Sequence, residues 1–185
     1  MTTALVLLAQ GAEEIESISA IDILRRGGIE TTIATFNQDS LQVKCAHGTI
    51  ISADTFLEKI TTEFDVVVVP GGYDGSINCG ASELVKNLLQ KQFAAKKLIA
   101  AICAAPGFVL AKHGILSKDI KATGYPGTHQ DIPNYEPNGV VVDKEHLVIT
   151  GKGPAYAQDF AFAIVEFLQG ADIAKQVKDG MLVNL

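Results

Sequence analysis

Tryptophan is absent from this 185-residue chain, and methionine and cysteine number only two and three. Three thiols are too sparse, and odd in number, for a disulfide framework, and no CxxC or CxxH string offers zinc-ligand spacing. No metal is therefore expected, and the sparse thiols point to a reducing, cytoplasmic setting. Positive charge is also short: 15 Lys and Arg stand against 21 Asp and Glu, a formal net charge of −6. Only the doublets Arg25-Arg26 and Lys96-Lys97 gather it. A nucleic-acid partner needs a concentrated basic footprint, so none is expected. No apolar run reaches the ~20 residues of a membrane span. The longest, Leu98 to Ala111, is broken by Pro106 and Gly107. The first, Ala4 to Ala9, is short and has no positively charged leader, so it reads as a strand and not as a secretion signal. Neither GxGxxG nor GxxxxGK[ST] follows a strand, which leaves a nucleotide-binding module unsupported; no cofactor is expected.

What remains is apolar material enough for one compact core: 48% apolar residues against 19% charged. Buried-strand and amphipathic-helix patterns alternate along it, predicting a single α/β domain over residues 1–185 with a mostly parallel sheet covered on both faces. Strands are predicted at Ala4 to Ala9, Glu30 to Phe36, Asp65 to Val69 and Leu98 to Ile102, and in GVVVD and HLVIT. Helices are predicted from about Glu13 to Arg26, with isoleucines at 15, 18 and 21, and from Ser82, with Leu84, Val85, Leu88 and Leu89 facing the core. Others run from Ala104 to about Lys112, through AYAQDFAFAIVEFLQG, and near Asp172 to Lys178. Leu41 to Lys44 and Gly48 to Ser52 read as a hairpin-like excursion, the segment around Cys79 as a Gly-rich loop, and KATGYPGTHQDIPNYEPNG as a long loop.

Cys103 stands at the junction LIAAI-C-AAPGFVLA, strand then helix with one residue between. Functional groups of open α/β sheets collect at such carboxyl ends, and the connectivity is that of a nucleophile elbow. The start of a helix favours thiolate over thiol. A fall in thiol pKa from ~8.5 to ~6 raises the thiolate fraction at pH 7 roughly 30-fold but lowers intrinsic nucleophilicity roughly 18-fold. Catalytic advantage must therefore come mainly from orientation and from donors aimed at a developing oxyanion. The amides of Gly71-Gly72, which close the DVVVVP strand, and of Ala104 are candidates. Glu13, Glu14 and Glu16 crowd the start of the first helix, and Glu13 and Glu16, three apart, share a face from which one can project to the strand ends and move a proton. Composition alone does not choose among them. His47, His113, His129 and His146 are scattered, and His129 lies in the loop closest to the pole of the strand ends.

GAEEIES, VVVVPGGYDG, AAICAAP and TGKGPAYAQDFAFAIVEFL, in that order over nearly the whole chain, resemble the ThiJ/PfpI superfamily, in the branch of the Parkinsonism-associated protein DJ-one and bacterial YajL. The resemblance implies a three-layer flavodoxin-like sandwich and a homodimer. It also implies a nucleophilic cysteine at Cys103, a protonated glutamate at Glu16 and oxyanion-binding amides at Gly72 and Ala104. The activity it implies is cofactor-free: conversion of α-oxoaldehydes such as methylglyoxal without glutathione, or removal of early glycation adducts from proteins. A redox-sensing protective protein or chaperone that uses oxidation of Cys103 is the alternative. Tyr125 stands where the Parkinsonism-associated protein carries a histidine near the cysteine, a position similarly aromatic in the YajL branch, so Tyr125 and His129 are pocket candidates and the proton work falls to Glu16. The peptidase branch has histidine directly after the cysteine, where this chain has Ala104, and the His-x-Glu pair of amidotransferases is missing. Both activities are disfavoured.

Overall fold

The computed structural model describes residues 1–36 and 39–183. In chain order the elements are β1 (Thr3–Leu7), α1 (Glu14–Arg26), β2 (Glu30–Thr35), β3 (Gln42–Lys44), β4 (Ile50–Ser52), β5 (Thr55–Phe56), β6 (Val66–Val69), α2 (Tyr73–Ala81), α3 (Glu83–Ala94) and β7 (Leu98–Ile102). A short π-wound turn, the elbow helix (Pro106–Ala111), follows β7, and then come β8 (Val140–Asp143), β9 (Val148–Gly151), α4 (Ala157–Gln169) and α5 (Ala171–Gly180).

Seven strands form one sheet in the order β5-β2-β1-β6-β7-β9-β8, parallel throughout except for the antiparallel β8–β9 hairpin. This is the flavodoxin-like arrangement expected. Successive side chains of a strand point to opposite faces. Val66, Val68, Ala100 and Ile102 accordingly join one core with Leu24 of α1, Phe160 and Val165 of α4 and Val177 of α5. Val67, Val69, Ile99 and Ala101 join the other, with Val85 and Leu89 of α3 and Val109 and Leu110 of the elbow helix. Burying a side chain such as Phe160 stabilises the fold by roughly 1.5–3 kcal/mol, so it is the layered packing that holds these strands central.

Several expectations need correction. Ile15 and Ile18 of α1 face outward, whereas Glu16, Ala20, Ile23 and Leu24 point inward. Helical phase thus puts a glutamate on the core side and two isoleucines in solvent. Leu84 of α3 is likewise exposed, although Ser82 caps that helix as expected by accepting from the Val85 amide. The Gly-rich segment around Cys79 is helical, not a loop. Glycine weakens a helix in isolation, yet close packing requires it at two places in α2. A Cβ at Gly75 would sit 2.8 Å from the Ala12 backbone, and one at Gly80 would sit 2.2 Å from the Phe108 carbonyl oxygen. The two-residue edge strand β5 gave no pattern to read.

Candidate active site

Register builds the site. Val69 pairs with Ala101 and Ile102 with Gly151, which brings the Gly71-Gly72 turn and the loop after β9 to either side of Cys103. Cys103 itself is 7% exposed and has φ 66°, left-handed backbone that a non-glycine residue rarely adopts. Two bonds hold that conformation: its N–H donates to the Gly151 carbonyl (2.9 Å) and its carbonyl accepts from the Tyr125 N–H (2.7 Å). The strained turn is the elbow expected from the sequence, and strain of this kind needs surroundings that over-determine it.

Glu16 enters from α1 and is 1% exposed. Its Oε2 accepts from the Gly71 N–H at 2.8 Å, while Oε1 is fully buried with no nitrogen or oxygen partner. The carboxyl also meets the Cys103 side chain. Glu13 caps the same helix: its Oε2 accepts from the Glu16 N–H (2.8 Å) and its own N–H donates to the Gly71 carbonyl (3.1 Å). Gly71 is therefore clamped from both sides, and glycine is required there. A Cβ would lie 2.5 Å from Cys103 Cβ and 2.6 Å from Glu16 Oε2. Gly72, at φ 87°, packs so tightly on the Gly11 carbonyl that a Cβ would stand 2.2 Å from it.

Burial pushes the Glu16 carboxyl up to about 8, against the pull of the Gly71 amide and the Cys103 side chain. Burial and the charge of an ionised Glu16 push the Cys103 thiol up to about 12, against the amides of Gly72 and Ala104. The expected preference for thiolate at the helix start is thus reversed, because the elbow helix is one short turn and desolvation outweighs it. Two acids in one buried site titrate as a pair. The Glu16 carboxyl gives up its proton before the Cys103 thiol does.

Of the residues singled out from sequence, Cys103, Glu16, Gly72 and Ala104 come together. Tyr125 joins their rim through its bond to the Cys103 carbonyl and lays its ring against Gly153. His129 does not join: its ring stacks on Tyr135 (4.5 Å between centroids) and its Nδ1 accepts from the Gly127 N–H. His47 is close to α1 for a reason no sequence spacing shows. Glu14, 33 positions earlier, accepts from the His47 and Thr49 amides and from His47 Nδ1 (3.0 Å), tying the β3–β4 hairpin to the start of α1. Burial opposes ionisation of Glu14, but those bonds hold its carboxyl down at about 2. Among the described residues, Glu13, Glu14 and His47 are the group whose ligand atoms lie close enough together, within 4.8 Å, to hold a cation. The helix cap and these hydrogen bonds already employ all three.

The family model described as the DJ-1/PfpI family matches residues 2–167. Protein dj-1beta of Drosophila melanogaster is 45% identical over 98% of this chain and 97% of its own length. A Caenorhabditis elegans protein named glutathione-independent glyoxalase DJR-1.2 is 36% identical over 92% of this chain and 90% of its own. Among solved structures, oxidized Toxoplasma gondii DJ-1 superposes with a TM-score of 0.95 at 33% identity, with both chains covered in full.

Proposed function

The chain belongs to the DJ-1/PfpI family, and from that premise we propose that it is a cofactor-free, glutathione-independent enzyme of the cytoplasm that converts α-oxoaldehydes such as methylglyoxal to 2-hydroxy acids. The observation that carries this reading is the buried Glu16 carboxyl, protonated at neutral pH, beside a thiol at a strained elbow.

In the reactive form the pair has lost one proton. The Glu16 carboxylate takes the remaining proton from the Cys103 thiol as the sulfur adds to the aldehyde carbon, and gives it to the aldehyde oxygen, forming a hemithioacetal. The Glu16 carboxylate then takes the hydrogen from that carbon, and the amides of Gly72 and Ala104 steady the resulting enediolate oxygen. Glu16 returns the proton to the neighbouring carbon, and the hydroxyl proton moves between the two oxygens. The aldehyde carbon is now a thioester and the ketone carbon an alcohol, so one is oxidised as the other is reduced. Water cleaves the thioester, releases the hydroxy acid and restores the pair. Early glycation adducts on protein thiols and amines enter when the Cys103 sulfur displaces that thiol or amine, which leaves with the Cys103 proton, to give the same hemithioacetal. Lactate formation from methylglyoxal without glutathione tests the reading: wild type should produce it, Cys103→Ala should not, and undiminished turnover in that variant rejects it.

Oxidation of the same thiol is the second reading, favoured by the close likeness in fold to a Toxoplasma gondii DJ-1 solved in an oxidized state. It requires Cys103 to oxidise ahead of Cys45 and Cys79 under mild peroxide, which peptide mass mapping resolves. The outward Ile15 and Ile18, with Ile50 of the hairpin also exposed, support a homodimer; light scattering tests it.

A further inference from the structure

Three of the four tyrosines carry exposed rings, Tyr73, Tyr125 and Tyr156, and the proton chemistry uses none of them. Each follows or contacts the end of one of three adjacent strands, β6, β7 and β9. Two of them bracket Cys103. On the β6 side, Tyr73 opens α2 one residue beyond the Gly72 amide that reaches the sulfur. Its ring is 63% exposed and stands edge-on to Phe108, with 5.4 Å between centroids and 80° between planes. Phe108 packs in turn on the core cluster that includes Cys103 and Ala104. On the β9 side, Tyr125 is tied to the Cys103 carbonyl, and its ring is 47% exposed. That ring rests on Gly153, where an added Cβ would come within 3.3 Å of it.

Cys103 is nearly buried, so a ligand's carbonyl end reaches the sulfur while its substituent extends toward the exposed residues beside it, Tyr73 next to Gly72 and Tyr125 bonded to the Cys103 carbonyl. A methyl group covers little of their surface. A flat apolar group gains area against one ring or both, and aromatic pairs add to that gain through their geometry. Building on the glyoxalase reading, we propose that Tyr73, braced by Phe108, and Tyr125 form an aromatic clamp that selects α-oxoaldehydes with a flat apolar substituent, the arylglyoxals, over methylglyoxal. The reaction balances as before: an arylglyoxal and one water give a 2-hydroxy-2-arylacetate.

The test compares kcat/KM for phenylglyoxal, read as mandelate, with that for methylglyoxal, read as lactate. Wild type should favour phenylglyoxal. Tyr73→Ala and Tyr125→Ala should each lower the ratio about three- to tenfold, as expected for loss of one aromatic pair, chiefly through KM. Tyr73→Phe and Tyr125→Phe should keep it. A second readout needs no turnover: protection of Cys103 from iodoacetamide by phenylpropanedione relative to butanedione, diketones with no aldehyde hydrogen to transfer. If neither aldehyde is consumed but the aryl diketone protects better, and less so in the alanine variants, the clamp stands and the glyoxalase reading falls. A protection preference, and a turnover ratio where there is turnover, that are equal in wild type and both alanine variants overturn the clamp.

Discussion

Cys79 and Cys103 are both buried, and both thiols are pushed up to about 12. Around Cys79, inside α2, burial is the whole cause. Around Cys103, burial is joined by the charge of a neighbouring acid that can itself hold or release a proton, and is opposed by two amides. The backbone differs as well: Cys79 is regular helix, and Cys103 is held at φ 66°. Thiol acidity therefore does not separate the two cysteines. A removable proton on Glu16 and a turn that aims the sulfur do.

The largest way to break that contrast is to take the proton carrier away. Glu16→Gln keeps the shape of the side chain but cannot shuttle a proton, and methylglyoxal turnover should fall about 10²- to 10⁴-fold. Cys79→Ala should leave turnover intact and lower only the melting temperature. A smaller effect comes from moving the partners without changing them. Gly71→Ala forces a methyl group between Cys103 and Glu16, and a displacement of that kind should cost about ten- to a hundredfold in kcat. The same change at Gly180, where an added Cβ meets nothing within 4 Å, should cost nothing measurable in turnover.

The smallest effect is on stability. Folded Glu16 keeps its proton up to about 8, against an ordinary value of 4.5. Between those values the folded state binds more protons than the unfolded one, so this contribution is full below 4.5 and is lost as pH rises through 8. Glu16→Gln does not titrate, so its melting temperature relative to wild type should climb from about pH 5 to about pH 9. A constant difference across that window would contradict a buried, protonated Glu16.

Much of this was legible from sequence because apolar runs such as DVVVV and LIAAI can be strands only if buried on both faces, and their ends mark where chemistry collects. The place of Cys103 at a strand-to-helix junction follows from that alone. Glu16 was one of three glutamates until resemblance singled it out, and helical phase gives the physical reason: it shares the inward face with Ala20 and Ile23. Helix α2 was hidden because Gly75 and Gly80, poor helix formers, are demanded by contacts with Ala12 and Phe108 far away in the chain. The raised pKa values were also hidden, since desolvation depends on what the fold packs around a group and not on its neighbours in sequence. The Glu14–His47 tie, across 33 positions, leaves no local trace.

Control of Cys103 by a proton shared with Glu16 is tested most directly by the pH dependence of its alkylation rate in wild type and Glu16→Gln. A shared proton predicts two steps in wild type and, in the variant, a single step at lower pH than the second of them, because the Glu16 charge that raises the thiol is gone. Superimposable profiles for the two proteins would contradict it.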